Sequence, residues 1–330
     1  MNRVLKTVLA AGSLLASVAV STAALAEKWN MPVRSNERNY FTRNIMQFVD
    51  EVKAATNGKL EIVVHPEDSL IKQPEVKRAV QTGQVQIGEL LMSMHSNEYP
   101  VFGVDAVPFL AKNQDEARIL LEITRPYIEA RLKSQGMRLL FVVPWPANSF
   151  YSGKEINSVS DFKGVKFRAF NPVTGRLAEL MGAIPVTVQQ SEVSQAFSTG
   201  VIQAMITSPA TGVDTQAWDF VKYFYEVKAM APWNIVIVNE RMFSRLDADT
   251  QKTVLEASKK AEERGWELAA TETSKLIDTL KSNGMEVRQP SETLMQELSK
   301  IGDQLIEEWV KSAGADGEKI ISEFRSKVKK

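Results

Sequence analysis

The chain has 330 residues, with 40 lysines and arginines against 40 aspartates and glutamates, two histidines and no cysteine. That balance leaves no basic excess to argue for a nucleic-acid or anionic-membrane partner. The missing cysteine excludes a disulfide framework and a lipoprotein anchor, and with only two histidines beside it argues against zinc sites of the usual composition.

Residues 1–26 read as an export signal. Arg3 and Lys6 precede the apolar run TVLAAGSLLASVAV, and Ala24-Leu25-Ala26 offers an A-x-A cleavage site before Glu27. Cleavage would leave 304 of the 330 residues, with 38 basic and 40 acidic side chains and a net charge of −2. No later apolar run approaches the roughly 20 residues that cross a bilayer. The expected product is an exported, periplasmic chain long enough for two domains.

In chain order, a strand near KWNMPV leads to a helix from about Tyr40 to Thr56, stopped by Asn57-Gly58. LEIVVH (60–65) is a strand, 74–83 a helix with Gly83 at its end, and 85–91 a strand. A helix over about Gln114 to Leu132 and a buried strand at 137–145 follow. In VKFRAFNPVTGRLAELMG (165–182), Val165, Phe167 and Ala169 alternate with Lys166, Arg168 and Phe170, the period of a strand. Asn171 then caps a helix with Pro172 at its first position, and Gly182 closes it. After a strand at 234–239, Asp247 caps a helix running to about Ser282. At 1.5 Å per residue that helix is roughly 50 Å long, enough to bridge two domains. Amphipathic helices are expected over 291–325. Strands alternating with helices predict an α/β protein with parallel sheet.

AVQTGQVQIG (79–88) and AFSTGVIQAM (196–205) share A-x-x-T-G-x-x-Q. This echo either marks two similar α/β units or reflects how alike helix-glycine-strand junctions are.

Catalytic signatures are sparse. Neither His65 nor His95 stands in a motif, and there is no G-x-S-x-G elbow, phosphate loop or dinucleotide fingerprint. Ser160-x-x-Lys163 lacks its companion motifs. The pattern suits binding instead. Arg168 stands at a strand end beside a helix N-terminus, and its planar fork matches a carboxylate. An exposed arginine on an edge strand is the bland alternative. Trp145, Phe150, Tyr151, Trp218, Tyr223 and Trp233 concentrate between 145 and 233, with Trp145 and Trp233 at strand ends where a cleft wall would be.

The run SDFKGVKFRAFNP…GAIPVTVQQSEVSQAFSTGVI, together with NGKLEIVVHP, QPEVKRAVQTGQVQIG and the stretch at 102–110, resembles the periplasmic solute-binding proteins of TRAP transporters, the DctP-like family. The resemblance spans the chain. It implies a periplasmic-binding-protein-like fold whose two domains close on an organic acid and deliver it to a sodium-driven permease of a small and a large membrane subunit. Arg168 falls on the family arginine that pairs with the ligand carboxylate. Asn148 stands where sialate binders have a second arginine, Thr207 where they have an asparagine, and Gln190 replaces an aromatic. Leu91 and Met94 replace an acidic and a basic residue, and Gln203-Ala204 a common D-G. Loss of charge with Arg168 kept points to a monocarboxylate such as a 2-oxo or hydroxy acid.

The expected ligand-binding residues are Arg168, Asn148, Phe150, Trp145, Gln190, Thr207, Met94, Trp233 and Asn234, with no metal and no cofactor. Expected domains are 27–147 with 236–275, and 148–235 with 276–330, in a monomer that closes with Gly265 as the flex point of the long helix. A ligand receptor for a sensor kinase and a periplasmic enzyme are the alternatives.

Overall fold

The computed structural model of the protein describes residues 26–328, so the expected signal segment lies outside the described residues except for Ala26. Strand β1 (Glu27–Pro32), helix α1 (Tyr40–Ala55), strand β2 (Leu60–His65), helix α2 (Gln73–Thr82) and strand β3 (Ile87–Leu91) follow one another as the periodicity predicts. Helix α3 (Gln114–Ser134) and strand β4 (Met137–Pro144) complete this part of the chain. Polar caps start the helices by taking up free backbone N–H groups. The Asn39 side chain accepts from the Phe41 N–H at 2.9 Å, and that of Asn113 from the Glu116 N–H at 2.9 Å.

A second set follows: strands β5 (Ser149–Ser152) and β6 (Lys166–Ala169), helix α4 (Pro172–Leu180), strand β7 (Ile184–Thr187), helix α5 (Val193–Ser198), strand β8 (Ala204–Thr207), helix α6 (Pro209–Asp214) and strand β9 (Tyr223–Tyr225). The chain then returns through strand β10 (Trp233–Asn239) and helix α7 (Glu240–Phe243) to the long helix α8 (Ala248–Ser282), strand β11 (Glu286–Arg288) and helix α9 (Glu292–Val328).

The strands form a parallel pair β1-β2, a three-stranded sheet β3-β10-β4 and a six-stranded sheet β11-β9-β5-β8-β6-β7. The expectation of parallel sheet needs correction. β10 is antiparallel to both β3 and β4, and β5 is antiparallel to both β8 and β9. β5 and β10 are the strands that arrive by crossing from the other sheet. They enter from the opposite end, so they run against neighbours that helices had aligned. The crossing segments also pair with each other. Trp145 N–H donates to Pro232 O at 2.8 Å, Asn148 N–H to Met230 O at 2.7 Å and Ala229 N–H to Asn148 O at 2.9 Å. An antiparallel ribbon thus runs from one sheet into the other. The three-stranded sheet with β1-β2 forms one lobe and the six-stranded sheet the other; because β10 starts at Trp233, the return crossing is complete by residue 232.

Helix α8 packs on α1 and β4 at one end and on α6 and β11 at the other, so its 35 residues span both lobes. Gly265, the expected flex point, lies at a tight packing contact. A Cβ there would lie 2.4 Å from Val143 Cγ2 and 2.9 Å from Asn44 Nδ2, so glycine lets the helix approach β4 and α1. Asn44 fastens the same seam by donating to Ala261 O at 2.9 Å. Helix α9 kinks at Gly314, whose φ of 59° suits glycine, and packs on both α3 and α4.

Candidate functional site

A narrow cavity lies where the ribbon passes between the sheets. It is lined by Arg34, Leu91, Trp145, Asn148, Phe170, Thr207, Ser208, Thr211 and Pro232. Its free space is about 10 Å³, room for roughly one water. The walls must therefore part to admit an organic acid.

Arg168 stands next to this cavity. β6 is held on both sides, by Val186 of β7 and Met205 of β8, which leaves the side chain fully buried. Its Nε donates to Val188 O at 3.0 Å, while Nη1 and Nη2 have no partner. The guanidinium carbon sits 5.3 Å from the ring centroid of Phe170, a cavity-lining residue. Burial, with the charge of Arg34 adding to it, pushes the pKa of Arg168 down to about 9. The following turn is rigid: Asn171 Oδ1 accepts from Thr174 N–H at 2.8 Å and caps α4, and Asn171 Nδ2 reaches the other lobe at Ser93 Oγ, 2.8 Å away.

The opposite wall is fixed by a chain of hydrogen bonds. Trp145 Nε1 donates to Asn234 Oδ1 at 2.7 Å, and Asn234 Nδ2 donates to Glu89 Oε1. Glu89 Oε2 accepts the Arg34 backbone N–H at 2.9 Å. Burial raises the pKa of Glu89 to about 7, against the pull of Arg34. Asp105 accepts the Trp233 N–H at 2.5 Å, and burial raises its pKa to about 8.

The structure brings Trp145, Asn148 and Thr207 together at the cavity, with Arg168 beside it and Asn234 one hydrogen bond behind Trp145. Other expected residues stand elsewhere. Phe150 points into the core, its ring 4.9 Å from that of Phe162 and 5.8 Å from that of Phe167, because strand alternation turns it away from the cleft. Trp233 is buried with Nε1 unpaired, and Met94 packs against the apolar core. Gln190 donates to Asp214 Oδ2 at 3.3 Å, which also accepts from Asn39 Nδ2 at 2.6 Å, so it joins the cleft rim outside the cavity. Burial raises the pKa of Asp214 to about 6.

Sequence reasoning missed Arg34, Phe170, Ser208, Thr211 and Pro232 of the lining, and Glu89 behind it. Arg34 follows β1 in an irregular stretch where no periodicity marks it. Glu89 stands inside a wholly buried strand, and a charged residue in such a strand was the signal available. Elsewhere, His65 bonds Asn30 at 2.8 Å, and no group of three or more His, Asp or Glu among the described residues could share a metal ion.

Two sheets joined by an antiparallel ribbon, a helix spanning both and a polar cavity at the crossing define a two-lobed binding protein. The chain belongs to the bacterial extracellular solute-binding proteins, family 7, matching that family over residues 34–312. It is thus a periplasmic TRAP-type receptor for organic acids, in a family of substrate-binding receptors rather than enzymes. It is similar to the Bordetella pertussis extracytoplasmic solute receptor DctP7 binding pyroglutamic acid, with 50% identity, a TM-score of 0.90, and 91% of this chain and 100% of that one covered. A marine metagenome TRAP solute-binding protein specific for pyroglutamate is 37% identical, with a TM-score of 0.89 over 91% of this chain and 99% of that one. Among curated relatives, the C4-dicarboxylate-binding periplasmic protein DctP of Rhodobacter capsulatus is 25% identical over 83% of this chain and 84% of its own.

Proposed function

We propose that this receptor captures pyroglutamate, or a monocarboxylate of the same compact polar shape, and hands it to a TRAP permease. The observation that carries this reading is Arg168: a buried guanidinium with two unpaired Nη groups beside a cleft cavity. A buried cation without a partner is costly, and a carboxylate on those two nitrogens removes the cost with parallel charge-assisted bonds. At roughly 1.5–3 kcal/mol each, two such bonds supply a large part of the roughly 8 kcal/mol of a micromolar complex.

The remaining wall fits the rest of pyroglutamate. Asn148 and Thr207 offer neutral donors and acceptors for the lactam N–H and carbonyl, and Trp145 and Phe170 offer faces for the ring. The second arginine that would recruit a second acidic group is absent at Asn148. The sequence alone suggested a 2-oxo or hydroxy acid; the 50% and 37% identical pyroglutamate binders favour a lactam within the same monocarboxylate class. We assign residues 27–147 with 236–275 to one lobe and 148–235 with 276–330 to the other, save that Trp233–Ile235 go with β10 and the first lobe. The receptor works as a monomer whose lobes part to load and close to deliver.

The test is calorimetry on mature protein refolded to strip bound ligand. Pyroglutamate is expected to bind at micromolar or better, ahead of pyruvate, lactate, succinate and sialate. Tighter binding of succinate or sialate than of pyroglutamate would overturn the assignment.

A further inference from the structure

We infer that Arg34 is a second guanidinium of the ligand site, supplied by the lobe opposite Arg168, and that the ligand carboxylate draws the lobes shut by lying between the two. This rests on the carboxylate reading above and extends it to the closing step.

Two arginines from different lobes meet at one cavity. Arg34 follows β1 in the first lobe and lines the cavity directly; Arg168 belongs to β6 in the second and adjoins it across Phe170. Both are buried: Arg34 is 7% exposed and Arg168 0%. Each has guanidinium nitrogens without a partner, Nε of Arg34 and Nη1 and Nη2 of Arg168. Among the described residues, neither takes part in a salt bridge, whereas Arg138, Arg176 and Arg264 each do. They are close enough that the charge of Arg34 acts on Arg168.

The acids near Arg34 are held mainly by other groups, though Asp68 Oδ1 is buried without a partner. Glu89 takes the Arg34 backbone N–H and the Asn234 amide, Asp214 takes Asn39 and Gln190, and Asp68 Oδ2 takes Ser191 Oγ at 3.5 Å. They temper the charge of Arg34 without using its fork. The guanidinium is meanwhile aimed by the ring of Trp145, 5.7 Å from its centroid. Trp145 is itself locked through Asn234 to Glu89, the residue that holds the Arg34 backbone.

Two like charges facing each other across a closing cleft repel, and the low-dielectric surroundings amplify the effect. A single anion between them turns that repulsion into two attractions. It gains both only when the lobes come together, so carboxylate binding and closure become one event. A neutral ligand of the same shape gains neither and leaves the repulsion in place.

The experiment titrates pyroglutamate and its neutral amide, pyroglutamide, into wild type, Arg34→Gln and Arg168→Met. Arg34→Gln is expected to weaken pyroglutamate binding at least tenfold while changing pyroglutamide binding less than threefold. Equal losses for acid and amide would make Arg34 merely structural and overturn the inference. So would pyroglutamate affinity within twofold of wild type; if Arg168→Met still loses binding in that case, the carboxylate reading stands and only the bridge fails. If Arg168→Met keeps full affinity, the carboxylate reading itself has failed, and the bridge with it. Should Arg34→Gln not fold, the wild type decides: the Nε–H resonances of both arginines, assigned with Arg34→Lys and Arg168→Lys, must shift on adding pyroglutamate. Movement of the Arg168 signal alone would overturn the proposal.

Discussion

Two strand arginines carry the same fork into opposite circumstances. In the seam of β4 and α7, Arg138 Nε donates to Glu240 Oε2 at 2.8 Å and Nη2 to Oε1 at 2.7 Å, a two-point grip on a carboxylate the protein provides itself. That hydrogen-bonded pairing holds the pKa of Arg138 above its ordinary value. At the cavity, Arg168 keeps two nitrogens free, and burial takes its pKa down to about 9. The difference teaches where the fold is complete alone and where it needs something added. Around β4 the arginine's polar groups are paired within the protein; around β6 two guanidinium nitrogens are left without a partner.

The largest expected effect breaks the comparison at its open end. Arg168→Met should lower pyroglutamate affinity by about 100-fold or more, the loss of two charge-assisted hydrogen bonds. It should leave the unliganded protein as stable as wild type or more so, since it removes a buried cation without a partner. Calorimetry and urea melts read the two halves; a large loss of stability would mean that Arg168 is a structural arginine.

His95 asks whether an unpaired buried group always implies a ligand. Its Nε2 has no partner, it lies outside the cavity, and burial together with Lys77 lowers its pKa to about 4. With the folded value below the ordinary 6.5, the unfolded chain binds more protons between pH 6.5 and 4, so stability falls as pH drops through that window. Glu89 and Asp214, raised by burial, slope the other way, so the difference between variant and wild type is the useful quantity. Relative to wild type, His95→Gln should gain about 3 kcal/mol between pH 7 and pH 4. A constant gap across that range would show that His95 does not titrate as its burial implies.

Gly265 tests the closed seam. If it serves close packing, Gly265→Ala overfills the contact with Val143 and costs about 1–3 kcal/mol in a urea melt. If it served bending alone, alanine would stabilise the helix by about 1 kcal/mol, so the sign decides. The smallest effect belongs to Arg138→Met. The pair it breaks is partly exposed, with side chains 39% and 32% accessible, so the loss should stay below about 1 kcal/mol, with pyroglutamate affinity within twofold of wild type.

Much of this was legible in the sequence because it is local. The alternation at 165–170 and the Asn171-Pro172 cap located β6 and α4, and with them Arg168. The Asp247 cap and the expected end near Ser282 bounded α8. What failed depends on how distant segments meet. No periodicity says that β10 enters between β3 and β4 against their direction, because strand order is decided by the crossings. Phe150 looked like a cleft aromatic, yet the pleat turns it onto Phe162 and Phe167. Arg34 lies 134 positions from Arg168 in an irregular stretch, and only the folded ribbon sets Arg34 in the cavity wall with Arg168 next to it, behind Phe170.

The most direct measurement is a crystal structure of the mature protein grown with pyroglutamate. The ligand carboxylate is expected within about 3 Å of both Nη1 and Nη2 of Arg168, with the lobes closed over it. A ligand bound in the cleft with those two nitrogens still unpaired would contradict the carboxylate reading.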